Sequence, residues 1–307
     1  MNNKKHYVFG EETFKLKDST GKRYSLKIER DDFPENPREW YNVSTMVCWH
    51  RSYDLGDKHN FDNPDKLMQH LYLDVTGKYW DDEHDSEDWE DIYKELKESN
   101  LILIKPLNLY DHSDITISTS NAYPYNDRWD AGCVGFVYIT KEKALKELVE
   151  YVLDENGERI KEEHKHPNGN STWSYKTQPL TDETWEARAD KVIEEEVKIF
   201  DYYLTGEVYY FTLSEIIPTY GCGECKGEIN VDELLSNTQL SLDEKVHYIC
   251  PHCGADLGND VDTSEPLNIE IIKEEEEVLE ECGGFFGNCI EENGLLDNIS
   301  SDLVIED

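Results

Sequence analysis

The sequence predicts an α+β fold, a mixed core of strands and amphipathic helices carrying a small zinc-ribbon insertion. Three observations predict it. Strand-like and helix-like segments mix along the chain without a strict βαβ rhythm. Of 307 residues, 37% are hydrophobic and 11% aromatic, including 19 Tyr and 7 Trp, whereas a disordered acidic chain is poor in such residues. Two Cys-x-x-Cys pairs lie in one stretch near the C-terminal third. The length suffices for one large domain, or a large and a small one.

The elements follow in order. Tyr7-Val8-Phe9, Phe14-Lys15-Leu16 and residues 24–28 read as strands, with Ser19-Thr20-Gly21-Lys22 as a turn between the last two. Residues 43–49 are a further strand, rich in β-branched and aromatic side chains. Asn63-Pro64 opens a short helix, Asn as cap and Pro in the first turn, with Leu67 and Leu71 on one face. A second helix starts at Ser86 and buries Trp89, Ile92, Tyr93 and Leu96. Residues 101–109, 115–118 and 134–139 read as three strands. A helix from Lys141 to about residue 153 follows, with Leu145, Leu148, Val149 and Val152 as its apolar stripe. Residues 155–180 carry Asn156-Gly157 and His166-Pro167-Asn168-Gly169-Asn170, so a loop or insertion is expected. Thr181 starts the clearest helix, which places Trp185, Ala189, Val192, Ile193, Val197 and Phe200 on one face and stops at Gly206. Residues 207–213 form a strand. No internal repeat is present. The expected organisation is an α+β core of residues 1–215 plus 266–307, interrupted by a ribbon over 216–265.

Charge restricts the partners. There are 68 Asp and Glu against 30 Lys and Arg, a formal net charge of −38. Nucleic-acid binding draws on Lys and Arg to neutralise phosphates, so direct DNA binding is not expected, and a protein with a basic surface is the favoured partner. The charge is uneven: residues 1–31 hold eight basic and five acidic residues, whereas residues 257–307 hold sixteen acidic and one basic. No apolar run approaches the ~20 residues of a membrane helix, and the first nine residues lack a signal-peptide core, so a soluble cytoplasmic protein is expected.

The strongest chemical signal is Cys222-Gly-Glu-Cys225 with Cys250-Pro-His-Cys253, 24 residues lying between the pairs. Two such knuckles present four thiolates at the corners of a tetrahedron, which suits Zn²⁺, and four sulfur ligands leave no open position, so the zinc is structural. His252 is a possible substitute ligand. Lys226 and Lys245 are the only basic residues in 220–256, so the ribbon suits packing or a protein contact better than nucleic acid. Cys48, Cys133, Cys282 and Cys289 are expected as reduced thiols in or near the core. A Cys–His nucleophile from Cys48, His50, Asp111 and His112 can be imagined, as can a hydrolytic metal site from His50, His59, Asp111 and His112, but no spacing requires either. No catalytic residue is assigned.

The acidic runs admit two readings. Residues 81–100 hold ten carboxylates and two lysines, and Lys273-Glu274-Glu275-Glu276-Glu277 continues the pattern. Such runs are commonly solvated faces, but carboxylates on an ordered scaffold can also take the positions of phosphates in a DNA enzyme's cleft. Cys282-Gly-Gly-Phe285-Phe286-Gly-Asn-Cys289 sets rings among glycines directly after the acidic run. It reads either as a turn packed on the core or as an anchor loop at an interface. The expected partner-binding residues are Glu274, Glu275, Glu276, Glu277, Glu280, Glu281, Cys282, Phe285 and Phe286.

Several blocks carry a family likeness. Asn36-Pro37-Arg38-Glu39-Trp40-Tyr41-Asn42 with residues 44–61, Leu109-Tyr110-Asp111-His112-Ser113 with residues 115–120, residues 129–138, residues 203–209 and residues 282–289 together resemble the signature of an acidic protein family of phages and mobile elements. Within it the likeness is to phage anti-defence inhibitors of the bacterial Gabija nuclease–helicase complex. The resemblance implies a self-assembled homo-oligomer in the host cytoplasm that binds this complex and keeps DNA from it. It does not extend to the ribbon, whose role is therefore not carried over. The alternatives are a Cys/His- or metal-dependent hydrolase acting on a small signal molecule, and a zinc-ribbon phage structural or regulatory protein.

Overall fold

The computed structural model describes residues 5–82, 88–112, 114–120, 131–165, 171–230, 238–240, 246–258 and 267–306. Its elements in the first half are β1 (Glu12–Lys17), β2 (Arg23–Arg30), β3 (Thr45–Cys48), α1 (Pro64–Thr76), α2 (Trp89–Glu98), β4 (Ile102–His112), β5 (Asp114–Ser118) and β6 (Ala131–Thr140). There follow α3 (Lys141–Glu147), β7 (Val149–Tyr151), β8 (Lys161–Lys165), β9 (Ser171–Tyr175), β10 (Thr177–Pro179), α4 (Trp185–Leu204), β11 (Val208–Cys222), β12 (Thr238–Leu240), β13 (Val246–Tyr248), β14 (Ile269–Phe286) and β15 (Val304–Ile305). The fold is α+β. The chain forms two compact units, residues 33–207 and residues 1–32 with 208–307, rather than the single core with one insertion expected from the sequence.

In the unit of residues 33–207, four antiparallel strands lie in the order β3-β6-β4-β5. Side chains alternate across a sheet with period two, so both faces need cover here. Val47, Ile102, Ile104 and Phe136 meet α1 and α2 on one face through Leu67, Leu71, Ile92 and Leu96. Met46, Leu107, Leu109 and Val137 meet α4 on the other through Trp185, Ala189, Ile193, Val197 and Phe200. The six-residue stripe of α4 read from periodicity is buried throughout. Asn63 caps α1 by accepting from the Lys66 amide at 3.0 Å, and Gly77 ends it at φ 74°. Gly135 lets β6 lie against β3: a Cβ there would sit 2.0 Å from the Val47 carbonyl oxygen.

Three expected elements differ. The helix from Lys141 ends at Glu147, because Leu148 turns extended and Val149–Tyr151 pairs with Thr177–Pro179 instead. Residues 155–180 contain an antiparallel strand pair, β8 on β9, where a loop was expected; the Asn168-Gly169 turn signal lies outside the described residues. Tyr7 makes only an isolated bridge to Cys289 in place of the first strand.

A buried ion network, invisible to periodicity, ties the 36–57 segment to α4. Arg38 is buried, and its Nε and Nη2 donate to the two carboxylate oxygens of Asp57, each at 2.8 Å. Nη2 also donates to the Ser44 carbonyl (3.0 Å) and Nη1 to Glu196 (3.4 Å). Asp57 in turn accepts from the Met46 amide at 2.8 Å, and Glu196 from the amides of Val43 and Ser44 at 2.8 and 3.0 Å. Each carboxylate is thus matched by several donors, as burial requires.

In the other unit, five antiparallel strands run in the order β14-β11-β2-β1-β15. Leu16, Leu26, Ile28, Phe211 and Leu213 form one core with Val8, Ile290 and Leu295, and the Tyr209 hydroxyl inside it donates to the Val8 carbonyl at 3.0 Å. β2 pairs with β11 only as far as Ile216, so β11 and β14 continue past it as a two-stranded ribbon up to Cys222 and Ile269. The segment expected as a glycine-rich loop is the end of β14. Tyr209 opposes Phe285 and Val208 opposes Phe286, with a bulge across Gly283 and Gly284, the latter at φ 81°. Phe285 is only 7% exposed and lies 5.7 Å, ring centroid to centroid, from Phe211. It fills the protein's own core, so it is not a partner-binding anchor; strand pairing turns its ring inward.

Arg38→Ala should cost about 3–5 kcal/mol in denaturant unfolding, because it strands Asp57 and part of Glu196 without their cation. Phe285→Ala should likewise lower stability by about 3–5 kcal/mol through the cavity it leaves. An unchanged unfolding midpoint for the latter would return Phe285 to the surface.

Candidate metal centre

The last residue of β11, Cys222, begins the first of two knuckles of the same design. In the first, the Lys226 amide donates to the Cys222 carbonyl (2.9 Å), and the Cys222 amide to the Gly227 carbonyl (3.0 Å). In the second, the Gly254 amide donates to the Cys250 carbonyl (2.9 Å), and the Cys250 amide to the Ala255 carbonyl (2.8 Å). The residue after the second cysteine is left-handed in both, Lys226 at φ 60° and Gly254 at φ 75°. This turn swings both sulfurs of a pair to one side of the backbone.

The four sulfurs of Cys222, Cys225, Cys250 and Cys253 lie within 4.8 Å of one another, a cluster that can hold a metal ion. Cys222 Sγ is 3.8 Å from Cys253 Sγ, and Cys225 Sγ is 3.8 Å from Cys250 Sγ. Tetrahedral thiolates about 2.3 Å from a metal stand about 3.8 Å apart, whereas a disulfide holds its sulfurs at about 2.05 Å. The donor set therefore fits a closed tetrahedral ion and not a pair of disulfides. The Gly227 and His252 amides donate to Cys225 and Cys250 sulfurs, each at 3.4 Å, which favours thiolates.

The acidities tell the same story. Burial opposes ionisation of Cys250, but the backbone N–H groups of Cys253 and His252 and the neighbouring thiols outweigh it and bring this thiol down to about 6. The Ala255 amide favours the Cys253 thiolate, yet the sulfur of Cys225, burial and the other thiols carry Cys253 up to about 12. Four thiols this close do not all ionise unless a cation shares the charge. His252 is not a ligand: its Nε2 lies 2.6 Å from the Glu228 carbonyl, and its ring packs on Gly227, where a Cβ would sit 2.5 Å from Cδ2. The module has a core of its own, in which Ile229, Tyr248 and Leu257 surround the buried sulfurs of Cys222 and Cys250.

Of the candidates for a Cys–His or metal-dependent site, Cys48, His50 and His59 line one cavity together with Tyr53, Asp57 and Lys58. Cys48 is buried on β3, and burial, with Asp57 adding to it, pushes its thiol up to about 12, so it is protonated at neutral pH. His59 Nε2 engages the Cys48 carbonyl at 2.8 Å, while His50 Nδ1 accepts from the Ser52 and Tyr53 amides. Asp111 meets the Tyr53 hydroxyl at 3.4 Å, and the side chain of His112 lies outside the described residues. Of the remaining thiols, Cys289 is buried and Cys282 partly so, but Cys133 is exposed rather than in a core.

The acidic candidates sit on β14. Glu274, Glu275, Glu276, Glu277, Glu280 and Glu281 are all exposed, and Cys282 and Phe286 are half-buried at its end. Arg23 pairs with Glu274, Lys273 with Glu275, and the Thr212 hydroxyl with Glu281 at 3.3 Å. Residues 83–87 of the other acidic run lie outside the described residues. Among the described residues no helix is long and apolar enough to cross a membrane. Fold and site together define an α+β protein with a zinc-ribbon-like four-cysteine module. No family model, curated protein or solved structure matches the chain.

Purified protein should carry about one metal ion per chain by elemental analysis. Cys250→Ser should raise hydrogen exchange across residues 220–229 and 246–258 while β1, β2 and β4 keep their protection, since the module has its own core. Loss of protection throughout the chain would make the module part of the main fold.

Proposed function

We propose that the protein acts by binding rather than by chemistry, as a phage-encoded counter-defence inhibitor that occupies the DNA-handling surface of the bacterial Gabija nuclease–helicase complex. The observation that carries this reading is the row of exposed carboxylates on an ordered strand, β14, in a chain of net charge −38. Carboxylates held by a sheet keep fixed spacing, and a fixed negative surface suits a cleft built to receive phosphates. The blocks that resemble the phage anti-defence family add the partner. Burial holds the Cys48 thiol up at about 12, so the thiolate that a Cys–His hydrolase would need is scarce at neutral pH, which weighs against the hydrolase alternative. The protein works in the host cytoplasm as a homo-oligomer. Zn²⁺ is the ion of the four-cysteine site: four sulfurs in a closed tetrahedron suit it, and its role there is structural.

Tagged protein should retain the Gabija complex from cells expressing it, and the complex so bound should fail to cleave DNA. Retention should weaken as salt rises, because screening acts on the charged contact. Cys48→Ala should protect phage as well as the wild type does in Gabija-positive hosts. No retention of the complex, or loss of protection in a well-folded Cys48→Ala protein, would defeat the proposal.

A further inference from the structure

Strand β14 is the open edge of its sheet. It pairs with β11 on one side, and among the described residues no strand pairs with it on the other. Sheet edges of natural proteins are commonly blunted by shortness, proline, bulges or charged side chains, above all lysine; here the bulges lie outside residues 273–278 and the charge is glutamate, which repels an acidic strand but not a basic one. This one spans 18 residues, holds no proline, and its one lysine is paired with Glu275. The opposite side of the ribbon is blunted: Pro218 lies on β11 two residues beyond the last pair with β2.

Between bulges, residues 273–278 run in unbroken register opposite residues 219–214. Alternation sets Glu274, Glu276 and Val278 on one face and Lys273, Glu275 and Glu277 on the other. Val278 is 55% exposed and Leu279 51%, so apolar side chains stand uncovered among the carboxylates. A second copy aligned antiparallel on this edge would set glutamates opposite glutamates, which is destabilising. A strand bearing Lys or Arg would find opposite charges on both faces, an unpaired backbone and apolar contacts between them.

We propose that the outer edge of β14 over residues 273–280 takes up an extended basic polypeptide segment as an added strand. The segment's backbone pairs with the open edge, its Lys or Arg side chains meet Glu274, Glu276, Glu277 and Glu280, and its apolar residues cover Val278 and Leu279. This mode of engagement rests on the reading that the protein binds a basic partner.

The test uses the full-length protein and, as probe, a synthetic decapeptide of repeating Lys-Lys-Val-Val, which sets both Lys and Val on each face of an added strand. The peptide should bind and slow amide exchange within residues 273–280, and binding should fall with salt. The same peptide N-methylated at alternate residues keeps its charge but cannot pair along one edge, and should bind about tenfold or more weakly. Glu276→Lys combined with Glu277→Lys and Glu280→Lys should abolish binding with an unchanged melting temperature. Equal binding of both peptides would mean charge attraction without strand addition, and overturns the inference; so does protection that appears elsewhere in the chain. Should the triple variant misfold, the methylated peptide decides on wild-type protein alone. Self-association at neutral pH that protects the same amides without peptide would make the occupant a second copy, and also overturns it. Failure of the Gabija complex to be retained, with strand addition intact, defeats the proposed function only.

Discussion

A net charge of −38 is the constraint under which every other feature of this protein operates. Self-repulsion of that size opposes compaction, so the fold depends on apolar interiors that are closed on all sides and on cations placed where they count. In residues 33–207, helices cover both faces of the four-stranded sheet, which leaves little sheet surface to water. Arg38 is the clearest case of a placed cation. Buried in a bidentate pair with Asp57 and in reach of Glu196, it lets two carboxylates fold inward that would otherwise add to the surface charge.

The same constraint explains how β14 differs from the strands of the interior. Along its acidic stretch β11 is the only strand that pairs with it among the described residues, so the carboxylates stay in water while the backbone is still ordered by pairing. At its C-terminal end the environment reverses within a few residues. Across the Gly283–Gly284 bulge the strand re-enters the sheet core, and Phe285 packs on Phe211. One strand therefore serves as surface and as core, and the bulge is the joint between the two.

The four-cysteine module extends this logic to a part of the chain too small for an extensive apolar core. Ile229, Tyr248 and Leu257 supply a small cluster around two buried sulfurs, and a metal ion held by the four sulfurs would supply what a larger core otherwise has to. Continuity of β11 into Cys222 and of β14 from Ile269 fixes where the knuckles begin. Four thiols this close oppose one another's ionisation, so a bound cation is what would let all of them stand as thiolates.

The sequence by itself determined the local elements and the four cysteines of the candidate metal centre. Period 3.6 identified the buried face of α4, Asn63-Pro64 marked the start of α1, and the Cys-x-x-Cys spacing identified all four sulfurs, because each is set by chain neighbours within a turn or two. Only the tertiary structure decided what depended on distant partners. The helix after Lys141 stops at Glu147 because Val149–Tyr151 finds Thr177–Pro179 as a pairing strand. Arg38, Asp57 and Glu196 carry no common periodicity, and only the folded chain brings two part-buried carboxylates onto a buried guanidinium. Phe285 read equally well as anchor or core, and strand register with Tyr209 settled it, since pairing fixes the face to which a side chain points.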